Sequence, residues 1–307
     1  MHRPSLNSLD LAVDEADIAE AFAPYVGREC DGDDSEFAGK AKALAGKWRR
    51  QHLRRRWLGW LPRVRHDQDN VKRVYARTWS VSGLAEKVAP GPGKTPAVWR
   101  GRNYLIDAQG TKRVHMLYLM RALARCAPAS VLEVGCGNGL NLMVLANRFP
   151  EIAMHGIELT PEGVAVAESG IAMPDLPDGL VAFAPEDLPA RDAHRRIAVR
   201  QGSAAALPFE DDAIDLAFTV LALEQMEEIR RQALDELARV ARRHVVMIEP
   251  FRDWNEDGMR RQAIAARDYF QARVADLAGH GLKPVFVSGD LPCKLAMGVG
   301  VVVCEVV

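Results

Sequence analysis

The 307-residue sequence predicts a doubly wound α/β sheet domain preceded by a mainly helical extension. Three observations carry this expectation. From residue 111 onward, short apolar runs of strand length alternate with helical stretches over the rest of the chain, the pattern of a largely parallel sheet covered on both faces. A glycine-rich turn, Gly135-Cys136-Gly137-Asn138-Gly139, stands between one such run and the next helix, where ligands gather in sheets of this kind. The last two apolar runs, PVFVSG and GVGVVVCEVV, are joined by a loop alone. A parallel return needs a long crossover, so these two strands are expected to pair antiparallel.

Taken in order, the chain divides into an acidic segment 1–39, a basic lid segment 40–110 and a core 111–307. Residues 14–22 read as a short acidic helix, followed by the polar DGDDSE. AKALAGKWRRQHLRRRWLGW reads as a basic, tryptophan-bearing helix that stops before Pro62, and PGPGKTP at 90–96 is a break. KRVHMLYLMRALARC has a helical apolar stripe. SVLEVGC is a strand, NGLNLMVLANRF a helix and MHGIEL a strand; TPEGVAVAESG is a helix with Thr160 as cap and Pro161 in its first turn. A proline-interrupted stretch, 171–196, leads to the strand RIAVRQG. AIDLAFTVL is a strand, EIRRQALDELARVARR a helix and HVVMIEP a strand; ARDYFQARVADLAGHG then reads as a helix ending near Gly279 and Gly281.

Composition excludes several classes. The content is 48% hydrophobic and 26% charged, ordinary for a globular chain. No run of eighteen apolar residues marks a membrane span, and the first residues lack the apolar stretch of a secretory signal. The five cysteines are scattered without a CxxC pair, which points to reduced thiols and a cytoplasmic protein. A net charge of −1 excludes overall basic character but hides an asymmetry: residues 1–39 hold ten Asp/Glu against two Arg, and 40–77 hold thirteen Lys/Arg against Asp67 and Asp69. Mutual neutralisation of the two blocks, or solvated faces, accounts for the pattern without any partner.

The glycine turn distinguishes between two ligands by charge. A dinucleotide pyrophosphate would rest on the helix N-terminus, with the spacing GxGxxG. Here Leu140 occupies the third glycine position, and Glu133, two residues before Gly135, adds a negative charge that opposes an anion. The same charge suits a ligand bearing an ammonium and a sulfonium, namely S-adenosylmethionine. Glu158 ends the following strand, 23 residues past Gly135, and a carboxylate there has acceptor sites for both hydroxyls of a ribose. A nicotinamide-dependent dehydrogenase is disfavoured on the same grounds.

The segments VLEVGCGNG, GIEL, RQGSAAALPFEDDAIDLAFTVLALEQM and VVMIEP resemble the class I S-adenosylmethionine-dependent methyltransferases over about residues 111–307. The resemblance implies a Rossmann-like sheet of seven strands, mostly parallel with an antiparallel last strand. It implies that Gly135, Cys136, Gly137, Asn138 and Gly139 surround the methionine and ribose, with Glu133 beside them. Glu158 and the adjoining Leu159 then meet the ribose, Ser203 and Ala204 the adenine, Thr219 and Val220 the methionine end. Tyr104 would close over that end. Where the family commonly has an Asp at the adenine, this chain reads Gly-Ser.

Methyl transfer from a sulfonium needs chiefly alignment, and a base only for an acceptor that holds its proton. Glu224, followed by Gln225, and His115 are the catalytic candidates; Glu249 and Asp253 are placed to shape an acceptor pocket. No cluster has metal spacing, so a metal-independent reaction on a small or mid-sized metabolite, probed first at oxygen, is the expectation. The chain has Thr-Val-Leu-Ala in place of the Asn/Asp-Pro-Pro-aromatic motif of base-amino methylation, and no cysteine stands where RNA carbon methylation needs one. The basic segment, with Trp48, Trp57, Trp60 and Trp79, leaves three partners open: an anionic or sugar-like acceptor, an anionic membrane surface, or RNA. The apolar stripe of its helix is poor, which lowers the membrane reading. The alternatives are an RNA methyltransferase using 40–77 and a non-catalytic module that binds S-adenosylmethionine.

Overall fold

The computed structural model describes residues 8–57 and 88–307. The end of the basic segment, with Trp60, Pro62 and Trp79, lies outside them. α1 (Glu15–Phe22) starts on a capping box, in which Asp14 accepts from Asp17 N–H and Asp17 from Asp14 N–H. β1 (Val26–Cys30) follows. α2 (Ser35–Trp57) is the basic helix, and Asp34 Oδ1 accepts Phe37 N–H at 2.8 Å at its start. β2 (Thr95–Trp99) and β3 (Arg102–Ile106) form a hairpin that turns through Arg100 and Gly101, both at positive φ. Then comes α3 (Gln109–Cys126), buried along most of its length.

In the core, β4 (Ser130–Val134), α4 (Leu140–Arg148), β5 (Ala153–Glu158), α5 (Pro161–Ile171) and α6 (Asp178–Phe183) lead to β6 (Ala198–Gln201). β7 (Ile214–Val220), α7 (Arg230–Val240), β8 (Ala241–Glu249), α8 (Gly258–Arg267), β9 (Leu282–Ser288), β10 (Cys293–Lys294) and β11 (Gly300–Val306) complete the chain. The large sheet has seven strands in the order β6-β5-β4-β7-β8-β11-β9. Its first five members are parallel, and β11 runs antiparallel to both β8 and β9. The chain winds outward from β4 through β5 to β6, then resumes on the other side at β7. The switch point therefore lies between β4 and β7, and a crevice opens there beyond the strand ends.

Two features depart from the linear reading. To the helical extension the structure adds a second, antiparallel sheet of order β1-β3-β2-β10. Its last strand comes from the loop before β11, so the sheet runs across the boundary suggested at residue 110 and ties the front of the chain to its end. The helix expected over 266–281 does not form; the α-helix here lies earlier, over Gly258–Arg267. α8 ends at Arg267, Asp268 adopts the left-handed conformation (φ 60°), and a 3₁₀ turn occupies Val274–His280. Between them Phe270 and Ala272 are buried and their neighbours are not; Phe270 stacks edge-on against Phe251 at 5.2 Å. Aromatic burial against the core outweighs the helical periodicity of this stretch.

Part of the charge of the two blocks is paired within the fold. Among the described residues, acids of 1–39 pair with Arg28, Lys40, Arg100 and Arg121. α2 lies on α8: Trp48 is buried beside Ala263 and Ala296, the Arg267 guanidinium sits 4.0 Å above its ring, and Arg55 donates to the Ala265 carbonyl near the C-terminus of α8 at 2.7 Å. No described helix is long and apolar enough to cross a membrane.

Candidate active site

A cavity of about 600 Å³ opens at the switch point. Its floor is the turn after β4. Gly135, Gly137 and Gly139 have φ of +80°, +54° and +73°, so every second residue of the turn is left-handed, the conformation glycine adopts without steric cost. Gly135 N–H and Cys136 N–H both donate to the Ile157 carbonyl, at 2.8 and 3.0 Å, which pins the turn to the end of β5. Gly139 begins α4 without a side-chain cap.

Glu158 ends β5 with its carboxylate inside the turn. Oε2 accepts Gly137 N–H at 3.1 Å; Oε1 accepts Thr160 N–H at 2.9 Å and Thr160 O–H at 2.7 Å. Thr160 in turn caps α5 by accepting Gly163 N–H. The acid is thus oriented by the loop around it, with about one acceptor site, on Oε2, left for a further donor. Glu133 is 1% exposed, and its Oε1 accepts Asn141 Nδ2–H at 2.7 Å while Oε2 has no partner. Burial pushes its carboxyl up to about 8, against the Asn141 hydrogen bond and with a further push from Glu158. An unpartnered carboxylate oxygen lining the cavity is what a cationic ligand group would satisfy.

Glu133, Gly135, Cys136, Gly137, Asn138, Glu158, Leu159, Ser203, Ala204 and Val220 all line this cavity. The structure places four sequence-selected residues elsewhere. Gly139 shapes the turn without lining it. Thr219 is wholly buried in β7, one residue short of the cavity and beside Glu249. Tyr104 packs edge-on against Phe22 at 5.7 Å, because its strand belongs to the second sheet. His115 sits inside the core, 3% exposed, with both ring nitrogens unpartnered, and burial lowers it to about 3, with Lys294 and Lys112 lowering it further. It is therefore a neutral core histidine, and the role given to it in catalysis is withdrawn. Of the two catalytic candidates, only Glu224 faces the cavity.

Sequence reasoning passed over Val88, Gln109, Lys112, Leu221, Gln225 and Met226, which also line it. Val88 is held from the front segment, its carbonyl accepting Tyr25 O–H at 2.6 Å. No motif flags such residues; Leu221, non-glycine at φ +50° beside the switch point, is visible only in the backbone.

Glu249 ends β8, fully buried. Its Oε1 accepts Ala222 N–H at 3.0 Å and Leu223 N–H at 3.1 Å, holding the turn that carries Glu224. Burial, with Glu224 adding to it, pushes its carboxyl up to about 8. An acid whose folded value exceeds its unfolded value is protonated in both states at low pH. Its destabilising effect begins near the ordinary carboxyl range and is complete above about 8. Glu249→Gln retains the Oε1 acceptor, so its melting temperature relative to wild type is expected to rise between pH 5 and pH 9, by the equivalent of a few kcal/mol at about 1.4 kcal/mol per pH unit. A pH-independent difference would show that Glu249 ionises without cost.

The switch-point cavity, the left-handed glycine turn and the buried acid at the end of β5 thus lie together beyond the carboxyl ends of the parallel strands. Residues 132–248 match the family model described as a methyltransferase domain. That match covers a little over a third of the chain and likens this part of it to a methyltransferase domain. Similar curated proteins are ajmaline N-methyltransferase of Rauvolfia serpentina, 27% identical over 114 residues, and O-methyltransferase resE of Aspergillus sclerotiorum, 30% identical over 120 residues. The first match covers 37% of this chain and 33% of the relative, the second 39% and 38%, so the chain spans little more than a third of either relative. Among solved structures, magnesium protoporphyrin IX methyltransferase from Synechocystis with bound S-adenosylhomocysteine is 12% identical, with TM-score 0.49, over 78% of this chain and 99% of that one. Geranyl diphosphate C-methyltransferase from Streptomyces coelicolor is also 12% identical, with TM-score 0.46, over 77% and 98%. Among the described residues no group of three or more His, Cys, Asp or Glu is placed to hold a metal ion.

Proposed function

We propose that the protein transfers the methyl group of S-adenosylmethionine to an oxygen of a small or mid-sized metabolite, anionic or sugar-like in character, by metal-independent in-line displacement. The observation that carries this is the buried, unpartnered Glu133 oxygen beside the glycine turn, which an ammonium would satisfy while drawing the carboxyl into its ionised form. Glu133 would take the amino group, the turn backbone the methionine and ribose, Glu158 a ribose hydroxyl, and Ser203 and Ala204 the adenine edge. When bound, the cofactor supplies an electrophilic methyl group on a sulfonium. The chain supplies alignment and a cavity that Met226, Leu221 and Val88 make partly apolar, limiting water near the reacting atoms. Lys112 supports the anionic character of the acceptor, and the five unbridged cysteines suit the cytoplasm.

Release of S-adenosylhomocysteine over a panel of acceptors tests the reaction; cofactor binding without release would make the protein a binding module. Glu158→Ala is expected to weaken S-adenosylmethionine binding by about 1–3 kcal/mol in calorimetry, through lost charged hydrogen bonds. Unchanged affinity would remove Glu158 from the site. The second reading, an RNA acceptor, draws on the exposed Arg49, Arg50, Arg54 and Arg56 of α2. It requires binding that falls steeply with salt.

A further inference from the structure

Beyond the residues given to the cofactor, the cavity is lined by further polar groups. Gln109 and Lys112 stand one turn apart at the start of α3 and line the same cavity as Glu224 and Gln225. Glu224 is 8% exposed; its Oε1 accepts Gln225 Nε2–H at 3.0 Å, and its Oε2 is removed from water without a partner, as is Gln109 Oε1. Buried acceptors in that state call for a ligand that brings hydrogen-bond donors. The groups acting on Glu224 come from several elements: Arg267 at the end of α8, Lys294 on β10, Glu249 on β8 and the Tyr269 phenol after α8. Burial outweighs the two cations and pushes its carboxyl up to about 7.

Resting on the methyltransferase reading above, we propose that Gln109, Lys112, Glu224 and Gln225 form the acceptor subsite, that it takes an un-ionised alcohol hydroxyl, and that Glu224 Oε2 accepts the hydroxyl proton. A phenolate, thiolate or carboxylate acceptor brings no hydrogen to Oε2 and is repelled by it. An ammonium brings hydrogens but has no lone pair for the methyl group, and Lys112, Lys294 and Arg267 oppose it. An alcohol has both a hydrogen to donate and a lone pair to attack with. The oxygen lone pair forms the O–C bond, the C–S bond breaks with its electron pair on sulfur, and the proton passes from the oxygen to Glu224. The sulfonium becomes a neutral thioether, and the carboxylate a carboxylic acid. Glu249 and Lys294 are positioning residues: the first holds the 222–223 backbone of the turn, the second favours the ionised form of Glu224.

The test combines turnover of a panel of alcohols, sugars, phenols, carboxylates and amines with infrared titration of the protein bound to S-adenosylhomocysteine. Wild type is expected to methylate alcohols of the panel, and Glu224→Gln to lower their kcat by about 100-fold or more, with the Kd for S-adenosylhomocysteine held within about twofold of wild type. A carboxyl band titrating near neutrality should vanish in Glu224→Gln, move to higher pH in Lys294→Met and return in Lys294→Arg. Undiminished alcohol turnover in Glu224→Gln, turnover confined to phenols, carboxylates or amines, or no alcohol turnover despite S-adenosylhomocysteine binding would each overturn the proposal. Failure of wild type to bind S-adenosylhomocysteine at all would sink the methyltransferase reading instead.

Discussion

Gly135→Val is expected to weaken binding of S-adenosylmethionine by about 30-fold or more while the protein still folds. A Cβ at this position would lie 2.7 Å from the Ala222 Cβ, and the backbone stands at φ +80°. Left-handed backbone costs an L-residue about 1–2 kcal/mol, and crowding a packed site costs about 1–3 kcal/mol more. Relief of both requires the turn to move away from the end of β7, which opens the cavity floor. At a factor of ten per 1.4 kcal/mol, the combined strain corresponds to a loss of about 30-fold to several thousand-fold in affinity. Gly101→Val provides the comparison. Its φ is +78°, but nothing lies within 4 Å of a Cβ there, and the residue belongs to the β2–β3 hairpin away from the cavity. It should lower the melting temperature and leave binding intact. Calorimetric titration with S-adenosylhomocysteine and circular dichroism on both variants decide the matter: Gly135→Val with an affinity within threefold of wild type, an order-of-magnitude criterion, would mean that the turn does not hold the ligand.

Glu133→Gln is expected to reduce affinity for S-adenosylmethionine by about 1.5–3 kcal/mol, the value of a hydrogen bond to a charged group, and to abolish the pH dependence of binding. In the free protein burial keeps this carboxyl protonated up to about pH 8. An ammonium brought to Oε2 stabilises the ionised form and lowers that value, so binding releases a proton. Affinity should therefore rise with pH by up to about tenfold per unit below pH 8 and level off above it. Calorimetry in buffers of different ionisation enthalpy reads the released proton directly. Adenosine, which has no amino-acid portion, should bind wild type and variant alike. Equal weakening of both ligands, or proton-neutral binding of S-adenosylmethionine, would remove Glu133 from contact with the ammonium.

Most of the cofactor side was legible because it is local in sequence. A strand, a glycine turn and a helix within about twenty residues dictate where the backbone turns, and Glu158 follows at the end of the adjacent strand. The proposed acceptor side is not local. Lys112 and Gln109 come from α3, Glu224 from the turn after β7, and Lys294 from a strand of the second sheet. No spacing in the chain announces that these meet. His115 and Tyr104 show the converse: residues of suitable chemistry, near the right elements, that packing turns into the core. At Thr219 the pleat alone decides, since successive side chains on a strand alternate in direction and Val220 lines the cavity in its place.

By itself the sequence determined the order of the seven strands of the large sheet, the antiparallel closing pair and the acid-flanked glycine turn, since period, turn chemistry and charge act over a few residues. Only the tertiary structure decided that the front segment and residues 293–294 share a second sheet, that 268–273 is not helical, and that Glu224 is the catalytic candidate in the cavity. These outcomes depend on burial and on pairing between distant segments, where aromatic packing and desolvation outweigh local preference.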